Sequence, residues 1–169
     1  MQDSHQPVPP TDDRGSSVDV LLVCSTGGHL LQLVALGAAW SGLDHAWVTF
    51  DKSDARSLLA TERVYFAHGP TNRNIGNFLR NVPLAWHLLG TLRPKVIVTT
   101  GAGVAVPFAW IGRLRGARVA YVESFTRIDG PSLSCRLIRP VADRVYVQWP
   151  ELAERLAGSR YLGSIFSAR

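Results

Sequence analysis

"VDVLLVCSTGGHLLQL", residues 18–33, is the stretch whose reading decides the fold. Seven residues rich in valine and leucine run into Ser-Thr-Gly-Gly-His, and apolar residues then return at helical spacing. A short apolar run followed by glycines and an amphipathic segment is a strand, a tight turn and a helix. The interval 20–43 contains no Asp, Glu, Lys or Arg, so a membrane span is the competing reading. Ser25-Thr26-Gly27-Gly28-His29 would then sit inside the hydrocarbon, where unpaired backbone groups are costly. Strand, turn and helix is the better reading.

The same unit recurs along the chain. Apolar runs stand at 18–24, 45–50, 63–68, 95–100, 118–124 and 144–149. Helical patterns fall between them at 29–40, 53–60, 74–91, 103–115, 132–139 and 151–157. Continuous apolar strands are buried on both faces, as in parallel sheets. Their alternation with helices predicts an α/β fold, a Rossmann-like, doubly wound and mainly parallel sheet with right-handed crossovers. Residues 1–17 are polar and Pro-rich and read as a disordered tail. Residues 18–169 read as one domain, closing with "YLGSIFSAR" as a last short strand or coil.

The composition is 46% hydrophobic and 18% charged, as expected of a globular chain. Net charge is +5, and it is unevenly placed. Of the 18 Lys/Arg and 13 Asp/Glu, eleven basic but only three acidic residues (Glu123, Asp129, Asp143) lie between Arg73 and Arg144. That asymmetry suggests an anionic partner: a phosphorylated substrate, an anionic membrane or nucleic acid. Cys24 and Cys135 form no CxxC pair, and no secretory signal is present. A reduced, cytosolic protein without a metal site is expected.

In doubly wound sheets ligands bind beyond the carboxyl ends of the strands. The strand-end loops here are 25–29, 51–54, 69–74, 101–104 and 123–130. In "STGGH" the glycines allow close backbone approach, and a helix start offers N–H groups to an anion. The spacing is neither GxGxxG nor GK[ST], so a nicotinamide cofactor or a P-loop is poorly supported. His29 reads either as a general base or as a residue packed at a helix end. "TTGAGV" is a second glycine turn, in which Gly101 and Gly103 suit phosphate or merely a tight turn. Glu123 closes a buried strand. It either pairs with Arg127 to fix the loop, or joins Ser124 in bonding sugar or phosphate oxygens while Arg127 neutralises phosphate.

The segment 74–95 places Ile75, Phe78, Leu79, Val82, Trp86 and Leu89 at three- and four-residue steps, flanked by Arg73, Arg80, His87, Arg93 and Lys95. It predicts an amphipathic helix, kinked or restarted near Pro83. Core packing is the default role, and a surface dipping into anionic lipid is the alternative.

These motifs together, with "ESFTRIDGPSLSCRLIRPVADRVYVQWPEL" and "YLGSIF", resemble the Alg-fourteen family and its bacterial PssD/CpsF-like relatives over residues 18–166. A more distant likeness is to the amino-terminal half of MurG. The resemblance implies one half of a GT-B glycosyltransferase that binds a polyprenyl-diphosphate-linked acceptor at the membrane. A separate donor-binding subunit of the Alg-thirteen or PssE type would hold the UDP-sugar (GlcNAc, Glc or GlcA), with no cofactor and no metal. It further implies His29 as the candidate base and Glu123 as a second catalytic residue, which with Ser124 and Arg127 would hold the acceptor or support the cleft. Thr26, Gly27, Gly28, Asn74, Gly101, Gly103, Ser124 and Arg127 would contact substrate or diphosphate, and "YLGSIF" would dock on the partner.

Eukaryotic members begin with a transmembrane helix, whereas the polar start here implies peripheral contact with the cytoplasmic face of the membrane, through Phe78, Leu79, Arg80 and Trp86 of the 74–95 helix or through an accessory protein. The setting would be oligosaccharide, exopolysaccharide or capsule synthesis. A non-catalytic scaffold that recruits the partner to the membrane is the alternative. A small oxidoreductase is disfavoured by the absent GxGxxG. Nucleic-acid binding is disfavoured because no reading helix or stacking motif accompanies the basic stretch.

Overall fold

A computed structural model describes residues 17–71 and 74–166. The polar tail expected at residues 1–17 lies, except for Ser17, outside the described residues, as does Arg73. Strands β1 (Val20–Val23), β2 (His45–Phe50), β3 (Val64–Ala67), β4 (Val96–Thr99), β5 (Arg118–Val122), β6 (Arg144–Val147) and β7 (Ser159–Tyr161) form one sheet. Every pair is parallel, in the order β3-β2-β1-β4-β5-β6-β7. The Rossmann-like reading therefore holds. Strand order reverses at β1, which pairs with β2 on one side and β4 on the other.

Helices α1 (Gly28–Ala35), α2 (Ser53–Leu58), α3 (Ile75–Leu92), α4 (Ala105–Leu114), α5 (Leu133–Ile138) and α6 (Pro150–Arg155) supply the crossovers. Alternate strand residues serve opposite faces, because side chains along a strand have period two. On one face Val20, Leu22 and Cys24 meet Leu30 and Leu33 of α1 and Trp47. On the other, Leu21, Val23 and Ile97 meet α3, α4, α5 and α6 through residues such as Leu88, Phe108, Ile138 and Leu152. Each buried aliphatic side chain of this kind contributes about 1.5–3 kcal/mol. The charge-free interval 20–43 resolves into β1, α1 and a 3-10 turn (Gly37–Ala39). Among the described residues no helix is long and apolar enough to cross a membrane. Both cysteines are buried and free.

Two expectations for α3 are corrected. Of the kink or restart expected near Pro83, the restart does not occur: the helix runs unbroken from Ile75 to Leu92. A proline here costs one bond to the carbonyl of Leu79, and both residues lie on the exposed side, where water can satisfy that oxygen. The predicted core stripe is also largely turned outward. Ile75, Leu79, Val82 and Trp86 are exposed, while Asn81, Ala85, Leu88, Leu89 and Leu92 face the sheet. Buried Asn81 is tolerated because its side chain bonds both the N–H and the carbonyl of His68, at 2.9 Å each.

Candidate functional site

The loops following β1, β2, β3, β4 and β5 surround a cleft of about 640 Å3 at the carboxyl edge of the sheet. Its polar lining includes Ser25, Thr26, His29, Lys52, Ser124, Thr126 and Arg127. Its apolar lining includes Ile75 and Phe78 of α3, Val106 of α4, and Leu133 and Leu137 of α5.

His29 stands in the first turn of α1. Its Nδ1 lies 2.7 Å from the carbonyl oxygen of Thr100, just beyond β4. A carbonyl can only accept, so Nδ1 carries the proton and Nε2 keeps its lone pair. Thr100 answers through its own hydroxyl, which donates to the carbonyl of His29 at 2.8 Å. The pair fixes the imidazole and its tautomer across the strand-order reversal. Burial lowers the pKa of His29 below the ordinary histidine range; the Thr100 bond and the charge of Glu123 oppose this, and Arg127 reinforces it. Burial thus favours the neutral ring, with one basic nitrogen.

The glycine loop takes its shape from Gly27, whose φ of 72° and ψ of −135° suit no residue with a Cβ. Its N–H is already engaged, donating to Oδ2 of Asp54 in the first turn of α2 at 2.7 Å. Leu31 makes its intrahelical bond to the carbonyl of Gly27, so the amides of Gly28, His29 and Leu30 have no acceptor within α1. That helix end is suited to an anion.

In the second glycine loop the backbone packs closely on the protein's own side chains. Gly101 has φ of 102°, and a Cβ there would stand 2.7 Å from the Tyr121 hydroxyl, so its close approach is to the protein's own interior. Gly103 lines the cleft but abuts Thr71. Between them Ala102 holds φ of 71°, which costs an alanine roughly 1–2 kcal/mol. Strain of this kind gathers at ligand sites.

Glu123 is buried, and it does not line the cleft. One carboxylate oxygen accepts from the Tyr121 hydroxyl (3.2 Å) and the Ser124 N–H (2.8 Å), and the other from the Ser132 N–H (2.8 Å). The ion pair with Arg127 offered as one reading of this loop is therefore corrected. Backbone amides satisfy the carboxylate instead, which folds residues 123–132 into a closed loop. Arg127 is left exposed at the cleft rim. Burial and the neighbouring Glu123 charge push the Cys135 thiol up to about 12, so this cysteine is not a nucleophile at neutral pH.

Over residues 68–165 the chain matches the family described as oligosaccharide biosynthesis protein Alg14 like. The chain belongs to this family. The rat UDP-N-acetylglucosamine transferase subunit ALG14 is 26% identical over 180 residues, covering 88% of this chain and 83% of the relative. The fission-yeast (Schizosaccharomyces pombe) subunit of the same name is 34% identical over 94 residues, 47% of this chain and 45% of the relative. Among solved structures, Acinetobacter baumannii MurG superposes with a TM-score of 0.69 at 17% identity, over 89% of this chain and 47% of MurG. A UDP-N-acetylglucosamine 2-epimerase from Rickettsia bellii follows, with a TM-score of 0.65 at 14% identity, over 86% of this chain and 44% of the epimerase. The chain thus spans about half the length of these solved structures and of the fission-yeast relative.

In this Alg14-like chain the fold gathers Thr26, His29, Asn74, Gly103, Ser124, Arg127 and Phe78 around one cleft. Asn74 also caps α3, its side chain accepting from the Asn77 N–H at 3.0 Å. Gly27, Gly28, Gly101 and Glu123 stand behind that lining. Leu79, Arg80 and Trp86 lie outside it on exposed α3, where the Arg115 guanidinium stacks over the Trp86 ring at 4.2 Å. Lys52, Thr126, Ser132 and Ser134 line the cleft although their sequence context did not single them out. Lys52 was the most legible of these, being the one cation in the strand-end loop "DKSD".

Proposed function

We propose that this chain is the acceptor-side subunit of a two-component glycosyltransferase. It transfers a sugar from a UDP-sugar to a polyprenyl-diphosphate-linked acceptor during oligosaccharide or exopolysaccharide synthesis. The observation that carries the reading is the mixed lining of the cleft. An oriented histidine and two cations, Lys52 and Arg127, share it with apolar side chains of α3, α4 and α5. A sugar diphosphate joined to an isoprenoid calls for both kinds of surface. Family membership and the names of the relatives support the same class of reaction.

In this account the acceptor's sugar hydroxyl lies against Nε2 of His29, which takes its proton as the oxygen attacks the anomeric carbon. The carbon–oxygen bond forms as UDP leaves with the bonding electron pair. The acceptor diphosphate sits between the amino end of α1, with Lys52 on one side and Arg127 on the other. The amides of Gly28 and His29 are the donors proposed for it. Glu123 acts as a positioning residue, holding Ser124 and Arg127 in place.

The donor half of the reaction is assigned to a partner of the Alg-thirteen type, a reading supported by the relatives' names, which describe them as transferase subunits. The tail Leu162–Phe166 and the groove it borders are the surface proposed for that partner. That groove, about 840 Å3, leaves Val98, Ala120 and Tyr146 of β4, β5 and β6 only partly covered on one sheet face. Ile75, Leu79, Val82 and Trp86, with Leu133 and Leu137 of α5, present an apolar surface at and beyond the cleft mouth. Flanked by Arg80 and Arg115, it suits peripheral contact with an anionic membrane.

The test is transfer of labelled sugar from UDP-N-acetylglucosamine to a polyprenyl-diphosphate acceptor by the chain combined with its donor-binding partner. Turnover lost in His29→Ala with acceptor binding retained supports the catalytic role. Undiminished turnover would leave the chain as a recruiting scaffold.

A further inference from the structure

Gln32 lies one turn after His29 on α1, between Leu30 and Leu33 of the core, and is itself only 4% exposed. Burying a primary amide is unfavourable unless both of its ends are bonded. Here both are. Its Oε1 accepts from the N–H of Phe125 at 2.8 Å, and its Nε2 donates to the carbonyl of Gly28 at 3.2 Å. One side chain therefore ties the glycine loop bearing His29 to the loop bearing Ser124, Thr126 and Arg127.

Phe125 is fixed from its far side as well. The indole N–H of Trp149 donates to its carbonyl at 2.6 Å, and its ring packs on Trp149 and on Phe166 at centroid distances of 5.0 and 5.4 Å. With both backbone polar atoms bonded, Phe125 has little freedom to move relative to α1. Its neighbours Ser124 and Thr126 line the cleft, as does His29.

We propose that Gln32 is a positioning residue that sets the separation between the His29 loop and the Arg127 loop, acting through the backbone of Phe125. The kinetic consequence rests on the acceptor-binding reading; the structural one does not. A side chain that merely filled the core would be replaceable by any of equal length. A positioning residue needs its polar end.

Two variants separate these roles. Gln32→Met keeps length and packing and loses both bonds. Gln32→Glu keeps an oxygen facing the Phe125 N–H and loses the donor to Gly28. The full chain with its donor-binding partner is studied by amide hydrogen exchange and by steady-state transfer kinetics.

In Gln32→Met, exchange at Phe125 should quicken at least tenfold while the amides of β1 and β5 keep their protection. Its kcat should fall about tenfold with the KM for the UDP-sugar unchanged, and Gln32→Glu should fall between Gln32→Met and the unaltered chain. Unchanged exchange at Phe125, a kcat within twofold of the unaltered chain, or loss of protection across β1 and β5 as well, overturns the proposal. If the unaltered chain transfers no sugar, the acceptor-binding reading fails by itself, and the exchange at Phe125 still decides whether Gln32 holds the two loops together.

Discussion

The Nδ1 of His29 lies 2.7 Å from the carbonyl oxygen of Thr100, and this bond joins the loops after β1 and β4. These strands meet where the sheet reverses its order, the place at which doubly wound folds leave a crevice for ligands. The bond leaves Nε2 unprotonated, so a proton acceptor stands in that crevice before any substrate arrives.

His29 is held below the ordinary histidine range chiefly by burial. The acid limb of kcat/KM should therefore fall below pH 6.5, the usual histidine value. The sign for stability follows from the same shift. The folded state binds a proton less readily than the unfolded chain, so the contribution is present above the unfolded value and is lost as pH falls through the folded one. Denaturant titrations from pH 7 downward should show stability falling, and His29→Gln should flatten that fall.

Arg127 opposes protonation of His29 and is proposed to meet the diphosphate. Arg127→Gln should raise the KM for the acceptor by roughly ten- to a hundredfold, the scale of a lost charge-assisted bond. It should also move the acid limb upward, since a repelling cation has gone. Kinetics at several pH values read both effects. A higher acceptor KM with an unmoved limb would mean that the guanidinium acts on the acceptor alone.

Glu123 bonds the N–H groups of Ser124 and Ser132 and the hydroxyl of Tyr121. Glu123→Ala should cost about 2–5 kcal/mol in urea unfolding, because buried donors lose their acceptor. A variant of unchanged stability but abolished turnover would contradict the positioning role and make Glu123 a participant in the chemistry.

How far the sequence disclosed this site depended on what each residue answers to. Strands and helices were legible because buried parallel strands and amphipathic helices write their periodicity locally. The cleft's position followed from topology, since "STGGH", "TTGAGV" and "ESFTR" all end strands of one sheet. The environment of Glu123 was not legible, because its partners Tyr121 and Ser132 meet it only through the folded loop. Gly101 could be read as a phosphate contact or a tight turn, and its closeness to Tyr121 was not visible in the sequence. The stripe on α3 had the spacing of a core helix, and only the sheet decides which side of such a helix is covered. Asn81, Ala85, Leu88, Leu89 and Leu92 win that contact, leaving Leu79 and Trp86 outside.

That outward stripe predicts membrane behaviour. Leu79→Glu with Trp86→Ala should reduce co-sedimentation with vesicles containing an anionic lipid by about tenfold and leave thermal unfolding unchanged. Binding of the unaltered chain should weaken as salt rises. Equal recovery with neutral vesicles at every salt concentration would contradict the electrostatic part of the account.

The central claim is that His29 serves as the base toward a lipid-linked acceptor while a partner chain holds the donor. It is tested most directly by single-turnover transfer from labelled UDP-N-acetylglucosamine to a polyprenyl-diphosphate acceptor, using the reconstituted pair with His29 intact or replaced by alanine. The account predicts a fall of at least a hundredfold in the transfer rate of His29→Ala, with acceptor binding and partner association unchanged. Transfer by His29→Ala at the rate of the intact pair would contradict it.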